Sequence, residues 1–223
     1  MINKKFYIKR DAVPPLFNIT FDNKEILDGD IVSAKPHVLI TLDDNSPLPL
    51  TKDLFSVVHN NIPVEIADSM FAYIPYPNSE GTISWDPALE DGGHILEILA
   101  KDASNNFFDT TSYRTTFYVY NETDLKEVYN YPNPFEDDTY FTFQLRGIDV
   151  PEELKIRIFT IAGRLIRELF IPPADLRVGF NKIHWDGRDR DGDEIANGLY
   201  FYKVISKNDE VVKTVIQKLA KIK

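Results

Sequence analysis

The densest group of side chains able to do chemistry is Asp186, Asp189, Asp191 and Asp193. Clustered carboxylates offer the hard oxygen ligands that calcium takes. An EF-hand loop would need Gly after Asp193 and a bidentate Glu further on. Glu194 follows Asp193 instead, and the closing Glu is missing. Asp, Asn and Gly also build solvated turns, because Asp and Asn accept local backbone hydrogen bonds. A solvated turn is therefore the plainer reading of Asp186–Asp193, with bound calcium as the alternative and no other metal or cofactor expected. The four histidines, His37, His59, His94 and His184, fall in separate regions without metal-ligand spacing such as HExxH. There is no cysteine, hence no thiolate nucleophile, thiolate metal site or disulfide. No GxSxG elbow is present. A glycosidase-type carboxylate pair would need two acids held about 5–9 Å apart, and nothing in the pattern singles out such a pair. No catalytic residue emerges, and the chain is expected not to be an enzyme.

The acidic turn lies between two apolar segments. Asn181 to Trp185 alternates as a strand does, and Leu199 to Ile205 is aromatic and β-branched. Such a turn reverses the chain, which returns as an antiparallel partner. The same logic extends along all 223 residues. Aromatic residues make up 13%, which suits pleated surfaces, and 43% hydrophobic residues suffice for real cores. A net charge of −10 argues against nucleic acid as a partner, since phosphates would be repelled. No apolar run reaches the roughly 20 residues needed to span a bilayer as a helix. The opening MINKKFYIKR lacks the apolar stretch of a secretory leader. If the protein is exported, its signal is expected on a preceding segment, with Met1 an internal starting point.

A lead-in from Phe6 ends at the rigid Pro14-Pro15 pair. Short strands then follow at Leu16–Phe21, Lys24–Leu27, His37–Leu42, Phe55–His59, Pro63–Ile66, Phe71–Tyr76, Thr82–Trp85, Gly93–Ala100 and Thr115–Tyr120. Turn residues separate them every ten positions or so, the rhythm of a β-sandwich. Asn121 to Val128 is polar and does not alternate. It reads as a linker, with a short helix over Thr123–Lys126 as an option.

The second unit opens at Tyr131, Pro132, Asn133, Pro134 and Phe135. Two prolines so spaced exclude a regular central strand and favour an extended edge. Strands follow at Tyr140–Leu145, Leu154–Thr160, Leu165–Phe170, Phe180–Trp185, Leu199–Ser206 and Val211–Leu219. Ala162-Gly163 and Asn208-Asp209 supply hairpin turns. Lys155, Arg157, Lys203 and Lys213 are candidates to guard sheet edges. Trp85 and Trp185 each end a strand before an acidic turn and read as core plugs rather than sugar platforms. The fold class is all-β, two tandem immunoglobulin-like sandwiches: a spacer domain over 12–121, a linker over 122–130 and a second domain over 131–223.

Four motifs occur in order: the proline pair at Tyr131–Phe135, the hairpin at Ile161–Ile166, Asn197–Tyr202, and Lys218–Lys223. Together they resemble the type A C-terminal sorting domain of the bacterial type IX secretion system. Trp185-Asp186-Gly187 and Gly198-x-Tyr200 are also similar to the immunoglobulin-like domain of flagellar hook-capping proteins. Those proteins do not usually finish on a lysine-bearing strand, so the sorting domain is the better resemblance. Ala220 departs from that family, which generally carries a larger β-branched residue there. The segment Gly93–Asn106 resembles the late strand and turn of bacterial immunoglobulin-like domains, and its context resembles the module ending large secreted peptidases of the gingipain type.

The resemblance implies a sorting signal carried by Pro132, Pro134, Gly163, Gly198, Tyr200, Lys218, Lys221 and Lys223. It implies passage through the periplasm to the outside or the outer cell surface, with an outer-membrane translocon and a sortase-like peptidase as partners. The peptidase would cut near Asn121–Tyr131. The translocon would add a strand along the terminal hairpin, reading backbone groups and the three lysines. The chain is expected to be a monomer whose catalytic part, if any, lies upstream. The alternative is an adhesive or carbohydrate-binding sandwich using aromatics such as Tyr73, Tyr76 and Phe107.

Overall fold

The computed structural model describes residues 11–223. The first half of the expected lead-in, Phe6 to Arg10, lies outside them. In chain order the strands are β1 (Leu16–Phe21), β2 (Asp30–Val32), β3 (Val38–Asp44), β4 (Phe55–His59), β5 (Ile62–Pro63), β6 (Phe71–Ile74), β7 (Ser79–Trp85), β8 (Gly92–Ala100) and β9 (Tyr113–Val119). They continue as β10 (Asp124–Tyr131), β11 (Thr139–Arg146), β12 (Glu153–Thr160), β13 (Leu165–Ile171), β14 (Gly179–Trp185), β15 (Gly198–Asn208) and β16 (Val211–Lys221). The chain is all-β, as its turn rhythm implies, and divides into two compact units. The first holds the described residues up to Gly29 with Lys35–Ala88 and Gly93–Phe117. The second holds Asp30–Ala34, Leu89–Gly92 and Tyr118–Lys223.

In the first unit one antiparallel sheet runs β1-β3-β7-β6, and the run β9-β8-β4-β5 belongs to the other. Lettered in chain order this is the A-B-E-D and G-F-C arrangement of an immunoglobulin-like sandwich. The inward residues alternate as the pleat requires: Val38, Ile40 and Leu42 on β3, Leu96 and Ile98 on β8, all fully buried. Each such side chain contributes about 1.5–3 kcal/mol relative to exposure.

The second unit packs β10-β11-β14 against β13-β12-β15-β16. Phe141, Phe143, Ile156, Ile158, Tyr202 and Val204 fill the space between the two sheets. Trp185 is the plug expected of it, with its ring between those of Phe135 and Phe141. Trp85 is only half-buried, set edge-on to His59.

Several expectations need correction. Lys24–Leu27 makes one isolated bridge, Phe21 to Lys24, and the strand comes later, at β2. The strand expected at Pro63–Ile66 is the two-residue β5. The segment expected as a linker or short helix is largely β10, paired to β11. Its alternation was hidden by a bulge. The register shifts between Lys126 and Tyr129, and Glu127 takes a φ of 49°. Leu125 and Val128, three residues apart, therefore both reach the core. Of the four proposed edge guards only Lys213 lies on an edge strand. Lys155, Arg157 and Lys203 sit on the interior strands β12 and β15, where outward-facing charge is matched to Glu153 and Glu168.

Candidate functional site

The last strand, β16, is the outer strand of its sheet, paired on one side with β15 from Gly198↔Lys221 to Asn208↔Val211. Its free edge is treated differently at its two ends. Toward the C-terminus the proline segment closes on it. The Asn133 side chain donates to the Lys218 carbonyl at 3.2 Å and accepts from the Ala220 amide at 3.0 Å. Phe135 continues with its amide on the Ala220 carbonyl, at 3.0 Å, and its carbonyl accepting from the Ile222 amide, at 2.9 Å. The result is a short parallel bridge between Phe135 and Lys221.

Prolines explain why this segment clasps rather than continues β10. They remove ladder donors and hold the chain extended. The peptide bonds preceding Pro132 and Pro134 are both cis. The Pro132 carbonyl accepts from the Thr139 hydroxyl at 2.8 Å and from the Asn130 amide at 3.2 Å. Both of those residues are buried, so the loop is tied to the core by polar groups that are themselves satisfied.

The three lysines of the terminal strand do not share a role. Lys218 is exposed on the outer face. Lys221, expected to be read directly by the translocon, is 2% exposed. Inward positions on β16 are the odd ones, Leu219 and Lys221 among them, while Ile216 and Ile222 point out at 54% and 58% exposure. The Lys221 ammonium donates to the Glu136 carbonyl at 2.6 Å, pairs with Glu194 at 2.9 Å and lies 5.3 Å from the centre of the Phe135 ring. Burial of a charge demands such partners. Lys223 pairs with Glu194 at 3.0 Å and Asp137 at 2.9 Å. Its backbone amide and carbonyl are both held by the Asn197 side chain. Hydrogen bonds from Lys221 first, then Lys223, pull the Glu194 pKa down to about 2. The hydrogen bonds that Lys223 donates to Asp137 and then Glu194 raise its own pKa.

The other expected signal residues frame this arrangement. Tyr200, near the start of β15, donates its hydroxyl to the Ala196 carbonyl at 2.7 Å, as in the tyrosine corner of immunoglobulin-like domains. Gly198 opens β15 opposite Lys221. Gly163 sits at the tip of the β12–β13 hairpin with a φ of 82° and no atom near its missing Cβ. It stands apart from the clasp. Asn133, Phe135 and Asn197 fall within the motifs named from sequence but without a role of their own, and Glu136, Asp137 and Glu194 carry none in that reading. The run of acids directly after Phe135 was the available signal, being opposite in charge to the terminal lysines.

Toward β16's other end the free edge stays open. In an antiparallel pair, alternate residues turn their backbone groups away from the partner strand. The contacts of Lys218, Ala220 and Ile222 with the clasp fix the even positions as outward. Val212, Thr214 and Ile216 thus present amides and carbonyls that meet no backbone partner among the described residues.

The remaining candidates resolve as follows. In the Asp186–Asp193 turn, Asp189 Oδ1 accepts from the amides of Asp191 and Asp193, and Asp186 caps Arg188, the local bonding of an Asx-rich turn. The histidines are not solitary. His37 meets Asp86, His184 meets Asp138, and His59 stacks on His94 with 2.9 Å between ring nitrogens. Burial, then the neighbouring His94, lowers the His59 pKa. Tyr76 is exposed, Phe107 lies under the Lys101 ammonium, and Tyr73 is half-buried.

Among the described residues no helix is long and apolar enough to cross a membrane. A search of curated proteins finds no match. Among solved structures, the chain is similar to dimeric latent PorU from Porphyromonas gingivalis, at 18% identity and a TM-score of 0.41. That alignment covers 95% of this chain and 20% of PorU, so the chain spans about a fifth of that protein's length. It is also similar to fibronectin(III)-like modules of Clostridium thermocellum CbhA, at 11% identity and a TM-score of 0.30, covering 92% and 93% of the two chains. Residues 129–218, from the middle of β10 to the start of the clasped part of β16, match the family described as "Secretion system C-terminal sorting domain". The second unit thus carries a type IX secretion C-terminal sorting domain, which marks a protein secreted to the cell surface or beyond.

Proposed function

We propose that the second unit is read as a folded address, by strand addition along the open edge of β16. An outer-membrane translocon of the type IX system supplies the added strand. The observation that carries this reading is the division of one edge into a clasped end, Lys218–Ile222, and an open end, Val212–Ile216. Strand addition draws affinity from backbone hydrogen bonds and specificity from alternate side chains. The side chains at the open end are Val212 and Ile216, both exposed, with Lys218 beside them. Lys221 and Lys223 act differently from the expectation of direct contact. They lock the strand's end against Glu194 and Asp137, so that the edge is preformed.

The first unit serves as a spacer, and a sortase-like peptidase joins the protein to the cell surface or releases it. Neither unit has a catalytic role in this scheme, and any activity belongs to a preceding segment of the protein.

The test uses the full chain fused behind a leader-bearing reporter in a bacterium that has this secretion system. Deleting Lys218–Lys223 alone is ambiguous, since it also removes the buried Leu219 and Lys221. Ile216→Pro is sharper. It removes one outward amide and blocks an added strand while leaving the bonds to β15 in place. The expected result is a folded reporter fusion retained in the periplasm. Normal surface display of a folded Ile216→Pro fusion would refute the edge reading. Normal display after deletion of Lys218–Lys223 would refute the sorting role itself.

A further inference from the structure

The first unit gathers three acids that no ion pair among the described residues explains. Asp44 ends β3, Asp102 follows β8, and Asp11 comes from the segment before β1. Each offers an oxygen, and all three oxygens lie within 4.8 Å of one another. Asp102 is fully buried and Asp44 is 7% exposed. Like charges this close, removed from water, repel strongly and need a counter-charge.

The oxygens divide into two groups. Those of Asp102 are occupied by Asn106, whose amide and side-chain nitrogen each donate at 2.7 Å. Asp11 Oδ1 accepts from the Val13 amide at 3.0 Å. Asp11 Oδ2 and both oxygens of Asp44 are buried and accept no hydrogen bond. Burial raises the Asp44 pKa; the backbone amides of Ser46 and Asn45, close to the carboxylate but outside hydrogen-bond geometry, act against it, and the charges of Asp102 and Asp11 add to the rise. Two independent features thus coincide: converging carboxylates, and a nine-tenths-buried acid whose oxygens have nothing to accept.

We infer that Asp11, Asp44 and Asp102 form a calcium site that joins the segment before β1 to the ends of β3 and β8. The chemistry selects the ion class. All three donors are oxygens, with no imidazole or thiolate among them, which suits a hard cation. Calcium holds oxygens at 2.3–2.6 Å, so ligands of one ion lie no more than roughly 4.6–5.2 Å apart, and oxygens all within 4.8 Å of one another can share it. A groove lined by Val13, Pro14, Asn45 and Ser79 runs up to Asp44. Asn106 orients Asp102 by its two donors and also reaches the Asp11 carbonyl at 3.3 Å, a supporting shell for a ligand set. This site is distinct from the Asp186–Asp193 turn, where Asp186 and Asp189 accept from the turn's own backbone.

The experiment is calorimetric titration of the EDTA-treated full chain with calcium chloride, alongside thermal melts in EDTA and in millimolar calcium. The expected result is one binding event and a rise of about 5 °C or more in the first unit's melting temperature. Asp44→Asn should abolish both. In EDTA it should melt above the wild type, because it removes repulsion. Asp189→Asn should keep the full calcium response. The wild-type titration decides the matter even if Asp44→Asn fails to fold. Absence of heat and of any melting shift with calcium would overturn the site. So would a response lost in Asp189→Asn but kept in Asp44→Asn. An equal response to magnesium chloride would overturn the assignment to calcium. A melting temperature that climbs on acidification in EDTA, without a calcium response, would identify a shared proton instead.

Discussion

Lys221 is buried against a half-exposed partner: its ammonium lies 2.9 Å from Glu194, which also receives Lys223. The two lysines hold Glu194 ionised far below the usual carboxylate range, near pH 2. A carboxylate depressed on folding stabilises the fold above its unfolded pKa of about 4.5, and that contribution fades as pH falls toward 2. Glu194→Gln should therefore lower the second unit's melting temperature at pH 7. The gap from wild type should narrow below pH 4.5 and close near pH 2. Melts followed across that range check this. A gap independent of pH would mean that the pair does not govern the strand's end.

Asn133 bonds one backbone stretch from both sides of its amide, so Asn133→Ala should free Lys218 and Ala220 together. Each lost bond is worth about 0.5–1.5 kcal/mol. A loss of roughly 1–3 kcal/mol in unfolding free energy is expected, with a matching shift in the denaturant midpoint. Hydrogen exchange gives the local signature. The Ala220 and Ile222 amides should exchange faster, while Thr142 and Lys182 in the β11–β14 ladder keep their protection.

Two glycines that look alike in sequence should behave differently. Gly163 has a φ of 82° and open space around it, so Gly163→Ala should cost about 1 kcal/mol from backbone strain alone. Gly187 has a φ of 67°, and an added Cβ would lie 2.5 Å from the Asp137 carbonyl and 3.1 Å from the Phe135 ring. Gly187→Ala should push the proline segment off β16. It should cost more than 3 kcal/mol and reduce reporter export with it. Equal effects at the two positions, measured by chemical denaturation, would remove Gly187 from the clasp.

The pleat made much of the fold legible. Clean alternation at Val38–Leu42, Gly93–Ala100 and Leu154–Thr160 gave both strand and inward face, because a half-buried strand leaves a period of two. The signal failed where the pleat is interrupted. The bulge at Lys126–Tyr129 put Leu125 and Val128 on one side at a spacing that resembles no strand. On β16 the period was visible but its polarity was not. Lys221 faces inward and Ile216 outward, the reverse of what hydrophobicity suggests, because Glu194 and Glu136 solvate the lysine inside. The proline motif and the terminal lysines were recognised separately. Their contact could not be read, since 85 residues separate Glu136 from Lys221 and only the closing of the two sheets brings them together.

The same bulged strand narrows where the chain can be cut. A protease needs an extended, unpaired stretch of several residues. Residues 124–131 do not offer one, because β10 is paired with β11 and buries Leu125 and Val128. Residues 120–123, by contrast, belong to no strand, and Asn121 and Glu122 are exposed. Limited proteolysis of the folded chain should accordingly cleave at 120–123 and spare 124–131, by fragment mass. The sortase-like cut proposed above should fall in the same four residues. Replacing them with a proline-rich stretch should block processing while leaving export intact, since the edge of β16 is untouched. Cleavage inside β10 in the folded chain would show that this strand opens before the peptidase acts, and the clasp at Asn133 would then have to open with it.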